Sequence, residues 1–205
     1  MFPGTVMAVC AWALVSLGHL CETDNAMHPS VQMLLENLRP VLEDLDEAQT
    51  QLHPMQDAAR WSVEQTIGHL VMTYRSTGQL LRDRLAKARP VSRGPKLQER
   101  LLRGLVLTMG VFPRGISAPD AVRPERAGLP PVNGQGLVRT LQAELESMET
   151  ELESCRHTFG TKFVATHFAL GPMSVEQWYR FHQVHGLHHR KQVLRIRKAL
   201  GLPAR

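Results

Sequence analysis

The sequence predicts an all-α protein, a four-helix bundle with a long crossover loop between its second and third main helices. Apolar residues recur at spacings of three and four along four long stretches. A serine with glutamine three residues on opens two of them. Prolines and glycines crowd residues 110–135, so that segment is expected to cross the surface as a loop. No run alternates polar and apolar residues as a half-buried strand does.

The first helix is expected over Val31–Leu52, bent by Pro40 or losing a turn to it. A turn follows at His53-Pro54. Ser62 and Gln65 then form a capping box for a second helix, Val63–Ala88, with Val63, Ile67, Leu70, Val71, Tyr74, Leu81 and Leu85 on one side. Lys96–Thr108 is a shorter helical candidate. The third main helix spans Gly136–His157, with Leu137, Leu141, Leu145, Met148 and Leu152 at helical spacing. Gly171-Pro172 ends a connector, Ser174 caps the fourth helix, and Gly201 and Pro203 stop it near Leu200. Four amphipathic helices with one long crossover make a bundle.

The length of 205 residues fits one domain, placed at 27–205. Hydrophobic residues at 43% and charged residues at 21% are ordinary for a folded domain and too polar for a membrane bundle, so no membrane span is expected. Residues 1–26 form a separate leader. Its apolar run, Val6–Leu20, is short for a span, and no Lys or Arg precedes Arg39 to supply a signal peptide's positive end. A start placed too early, with Met27 the initiator, an export signal and an extra helix are the three readings. Cys10, Cys21 and Cys155 form no C-x-x-C pair and no even framework. A reduced, cytoplasmic setting follows, or an exported one if the leader is a signal.

Net charge is +5, and Arg75–Arg126 holds twelve Lys/Arg against four Asp/Glu. Such a stretch attracts phosphate or an acidic cofactor, or is simply a solvated helix face and loop. No stacking aromatics interleave with it, so nucleic acid is not an expected partner.

Four of the ten histidines fall within residues 182–189. On a helical wheel Trp178, His182, His185, His189, Gln192, Ile196 and Leu200 lie within about 80° of one another. An unpaired imidazole buried there costs about 1–3 kcal/mol, so this polar group on a core face needs a collective explanation. His185 and His189, at i and i+4, point to one spot and suit chelation of a divalent ion from one helix. Core histidines satisfied by neighbours and water are the alternative. Gly186 occupies the place of the catalytic glutamate in an H-E-x-x-H zinc protease, so that chemistry is excluded. His188 projects to the edge of the stripe as a surface residue.

The run His185-Gly-Leu-His-His189-Arg-Lys-Gln192 resembles the H-x-x-x-H-x-x-Q signature in the last helix of DinB-like metal-binding bundles. His167-Phe168-Ala-Leu-Gly171-Pro-Met-Ser-Val-Glu-Gln-Trp178 is similar to the connector of one uncharacterised branch, except that the usual proline after His167 is lost. Trp61-Ser62-Val-Glu-Gln-Thr-Ile-Gly-His69-Leu70 resembles the start of the second helix of that superfamily. The loop from Phe112 to Pro119 has the same flavour.

The resemblance implies a divalent metal, zinc or nickel, held by His69, His185 and His189 with positions left open. It also implies group transfer or isomerisation with a low-molecular-weight thiol in some members. The expected partner is a small-molecule substrate, oriented by His182, Gln192 or Tyr74; a homodimer is compatible with the sequence. A non-catalytic metal-stabilised bundle, for binding or stress-linked metal handling, is the alternative. The wheel itself does not demand His69: it lies about 145° from the centre of the apolar stripe of its helix, where exposure is the simple expectation. Its neighbours on that side, Thr66, Thr73, Ser76 and Leu80, are uncharged, as a cavity wall would be.

Overall fold

The computed structural model describes residues 27–112 and 119–203. The leader, with Cys10 and Cys21, lies outside them, as do residues 113–118 of the crossover. The described residues are mainly helical. Helix α1 is Pro29–Leu38 and α2 is Glu47–Gln51, so the single helix expected over 31–52 is two. Pro40 has no N–H to give the preceding turn, and the chain tightens into a 3-10 turn at Arg39–Val41. Asp46 then restarts it through a capping box with Gln49.

Helices α3 (Val63–Ala86), α4 (Leu97–Met109), α5 (Gly134–Phe159) and α6 (Val175–Ala199) match the expected positions within a few residues. Ser62 with Gln65 and Ser174 with Gln177 cap α3 and α6 reciprocally, as their spacing predicts. The connector before α6 is not structureless: β1 (Ala165–His167) pairs antiparallel with β2 (Gly171–Met173), Thr166 opposite Pro172. Three residues per strand are too few to show alternation. Gly171 closes the turn at φ 74°, a conformation that favours glycine.

Helix α3 packs along α5, α1 along α6, and α3 against α6, around one core that includes Leu38, Ile67, Leu70, Leu141, Leu145 and Trp178. Each such side chain contributes about 1.5–3 kcal/mol of transfer free energy on burial. Gly186 brings α6 close to α1, because a Cβ there would lie 2.3 Å from Leu34 Cδ1. The buried Arg197 fixes the far end of α6, donating to Asp44 at 2.7 and 2.9 Å and to the Pro203 carbonyl at 2.9 Å.

The crossover returns over α3. Its 3-10 turns, Asp120–Val122 and Pro124–Arg126, lie on the side of α3 away from the apolar stripe, and Gly68 permits the approach of Pro124 and Ala127. Part of the basic stretch joins elements: Arg75 pairs with Glu144 and Arg82 with Glu151 of α5, and Arg103 donates to the Pro172 carbonyl. No helix of the described residues is long and apolar enough to cross a membrane.

Candidate metal centre

Helix α6 turns its histidine face inward as its periodicity requires. His185 and His189 are buried one turn apart, and His185 Nε2 lies 3.1 Å from His189 Nε2. From α3, His69 reaches the same point, its Nε2 3.3 Å from that of His185. One ligand atom from each of the three residues lies within 4.8 Å of the others, and the group can hold a metal ion. His69 is only 5% exposed, against the wheel's simple expectation, because the crossover covers that side of α3. A wheel drawn from one helix cannot register a loop arriving from fifty residues downstream.

The outer nitrogens fix the rings. A carbonyl only accepts, so His69 Nδ1–H donates to Val122 O at 2.7 Å, which leaves the Nε2 lone pair facing its neighbours. His189 Nδ1 bonds Gln192 Oε1 at 3.0 Å with the same result. His185 Nδ1 is buried without a hydrogen-bond partner. Burial lowers the affinity of all three for protons: His69 is pushed down despite the Val122 bond, His189 to about 3, and His185 well below the ordinary imidazole value, with mutual repulsion adding to the last two. Neutral imidazoles whose lone pairs converge repel one another unless a positive centre lies between them.

The three rings open onto a cavity of about 650 Å³. Trp61 flanks His69 and His189, with ring centroids 5.2 and 6.4 Å away, and Phe181 stacks on His185 at 5.2 Å. Leu80, Leu102, Val106 and Phe168 extend the apolar wall. Thr73 and Thr77 also line it, but their hydroxyls donate back to the α3 carbonyls of His69 and Thr73. Among the described residues the lining includes no Asp, Glu, Lys or Arg.

The family model for the DinB superfamily matches residues 31–193. The chain belongs to the DinB superfamily. Searches of curated proteins and of solved structures find no match.

In this DinB chain the residues expected to orient a substrate lie elsewhere. His182 stacks on Trp178 and meets Tyr74 edge-on, with both its ring nitrogens unpartnered in the core; neither it nor Tyr74 lines the cavity. Gln192 holds the outer nitrogen of His189. His188, expected on the surface, is half-buried against Phe112, 4.9 Å between centroids, and lines the cavity. Sequence reasoning missed Trp61, Phe181 and His167 as cavity residues. The hairpin and the crossover contribute part of the lining, and no periodicity signals either. Cys155 is buried at α5, its thiol pushed up to about 11, away from the DinB cavity.

Proposed function

We propose that the DinB-superfamily site formed by His69, His185 and His189 binds a divalent metal, zinc or nickel, and acts on a small molecule with a low-molecular-weight thiol as co-substrate. The observation carrying this reading is the convergence of three neutral Nε2 atoms at the wall of a cavity of about 650 Å³, a volume within the usual range for small-molecule sites. Tetrahedral zinc with bonds of about 2.0–2.1 Å to nitrogen separates its ligands by about 3.3 Å, close to the two spacings seen here. These two spacings support the reading of a shared ion.

A divalent ion, when bound, supplies a Lewis acid that lowers the pKa of a thiol or water at its open position. The chain supplies the rest. Gln192 and the Val122 carbonyl hold the imidazoles in the ligating tautomer. Trp61 and Phe181 pack around the rings and exclude water. The apolar walls accept the uncharged body of a substrate. A closed structural site needs a fourth protein ligand. Of the expected candidates, His182 packs against Trp178 and Tyr74 away from the cavity and Gln192 bonds the outer nitrogen of His189, which favours the catalytic reading over a metal-stabilised bundle.

Metal analysis of the purified protein, followed by a screen for thiol transfer to electrophilic acceptors, tests the proposal. Stoichiometric zinc or nickel and metal-dependent thiol consumption are expected. Purified protein that takes up neither ion would overturn it.

A further inference from the structure

His167 lies at the end of β1, on the hairpin, and its ring lines the cavity. Phe181 bridges it to the triad, its ring centroid 4.7 Å from that of His167 and 5.2 Å from that of His185. Two backbone N–H groups, of Ala169 and Leu170, donate to His167 Nδ1 at 3.1 and 3.2 Å. A ring nitrogen that accepts carries no proton, so the neutral ring bears its hydrogen on Nε2. Burial pushes the pKa of His167 down to about 4, so this neutral tautomer persists at physiological pH.

The hairpin turn thus does to His167 the opposite of what Val122 and Gln192 do to the triad. There the outer nitrogen donates and a lone pair faces inward; here the outer nitrogen accepts and an N–H remains. Among the described residues no protein atom takes that N–H. The hydroxyls of Thr73 and Thr77 are engaged by their own helix, and those of Ser76 and Thr166 rotate freely about their bonds. Among the described lining residues, His167 has its tautomer set by two backbone N–H groups, which keeps a donor on Nε2.

We propose that His167 Nε2–H is a specificity-determining donor for the molecule occupying the cavity. The ligand class is a compact, largely apolar molecule with a neutral hydrogen-bond acceptor, such as a ketone, ester or amide carbonyl. Its other end lies toward His69, His185 and His189. The inference deepens the proposed reading of this cavity as the place where substrate meets the metal. A neutral donor in an apolar wall favours a carbonyl over a hydrocarbon of the same shape, because a carbonyl buried without a partner loses its bond to water.

The test uses the full chain and two probes of nearly equal shape, acetophenone and ethylbenzene. In His167→Asn the side-chain oxygen still accepts from Ala169 and Leu170, so the turn is preserved, while the Nε2 donor is gone. The ratio of acetophenone to ethylbenzene affinity, measured by calorimetry or ligand-observed NMR on metal-free protein, should fall about ten-fold in the variant. Ethylbenzene affinity should hold. In the parent, 15N spectra should show the His167 ring protonated at Nε2, with that resonance shifting on acetophenone addition and not on ethylbenzene addition. An unchanged ratio, or a ring protonated at Nδ1, overturns the proposal without recourse to the variant. Zinc uptake is measured separately. Zinc binding with no change in ratio sinks the His167 donor alone, and a lowered ratio in a chain that binds no zinc sinks the metal reading alone.

Discussion

His69 Nδ1 donates to the carbonyl of Val122 across 2.7 Å, joining a histidine of the candidate site on α3 to a 3-10 turn of the crossover. His189 has the equivalent support from a side chain, Gln192, at 3.0 Å. The second contact can be removed by substitution and the first cannot. Gln192→Leu should therefore weaken zinc binding by about 10–100-fold, since a support that orients a metal-ligating imidazole contributes on that scale. Gln192→Glu, which keeps an acceptor, should retain most of the affinity. Competition with a chromophoric chelator measures both.

Metal should raise the melting temperature of the parent, because an ion that binds only the folded state stabilises it by mass action. His69→Ala, His185→Ala and His189→Ala should each lose that increment, two imidazoles chelating far less tightly than three. His188→Ala should keep it, since His188 lines the cavity and is outside the ligand group. Thermal melts with and without zinc decide the matter. A His69→Ala protein that binds zinc as tightly as the parent would falsify the three-histidine site.

Acid should destabilise the metal-free protein early. Burial holds His182 down to about 3 and His167 to about 4 in the fold, against 6.5 for an ordinary imidazole. Above pH 6.5 neither state carries their protons, and stability is flat with respect to them. Below it the unfolded chain binds protons that the fold refuses, so stability falls by about 1.4 kcal/mol per pH unit for each imidazole. The fall continues until the folded values are reached. Urea denaturation at pH 7, 6 and 5 should show this slope, and His182→Leu should make it shallower.

Gly186→Ala should cost about 1–3 kcal/mol, the usual penalty for overpacking a core. The added Cβ would meet Leu34 Cδ1 at 2.3 Å and Cδ2 at 2.9 Å. In a Leu34→Ala background the same change should cost much less, since the space is then free. A double-mutant cycle in urea reads the coupling.

A chain beginning at Met27 should fold with the helix content of the full chain. The described residues from Met27 onward already hold a continuous core. Far-ultraviolet circular dichroism and a cooperative melt check this, and loss of either would assign the leader a place in the fold.

The i, i+4 pair of His185 and His189 was legible because one helix carries both and its period is fixed. The capping boxes at Ser62 and Ser174 were legible for the same local reason. His69 entered through family resemblance rather than through its own helix, whose wheel left it outside. What buries it is the crossover, a contact between Val122 and a residue fifty-three positions earlier. The hairpin escaped notice because its three-residue strands hold too little pattern, and with it went His167. The orienting roles expected of His182 and Tyr74 failed because α3 and α6 pack those two rings against each other, 5.2 Å between centroids, below the cavity rather than at its wall.

The close seat of Gly186 on Leu34 also bears on how such a protein changes over generations. Helix α6 must fit α1 on one side at Gly186 and present two imidazoles on the other, so it can neither rotate nor slide without loss. The hairpin carries none of the three histidines yet lines the cavity from Thr166 to Leu170, whereas the crossover holds His69 through the Val122 carbonyl. The shape of the cavity is therefore free to drift through the hairpin while the three histidines stay anchored. Segment exchange between relatives at the hairpin is the natural route to a reshaped cavity.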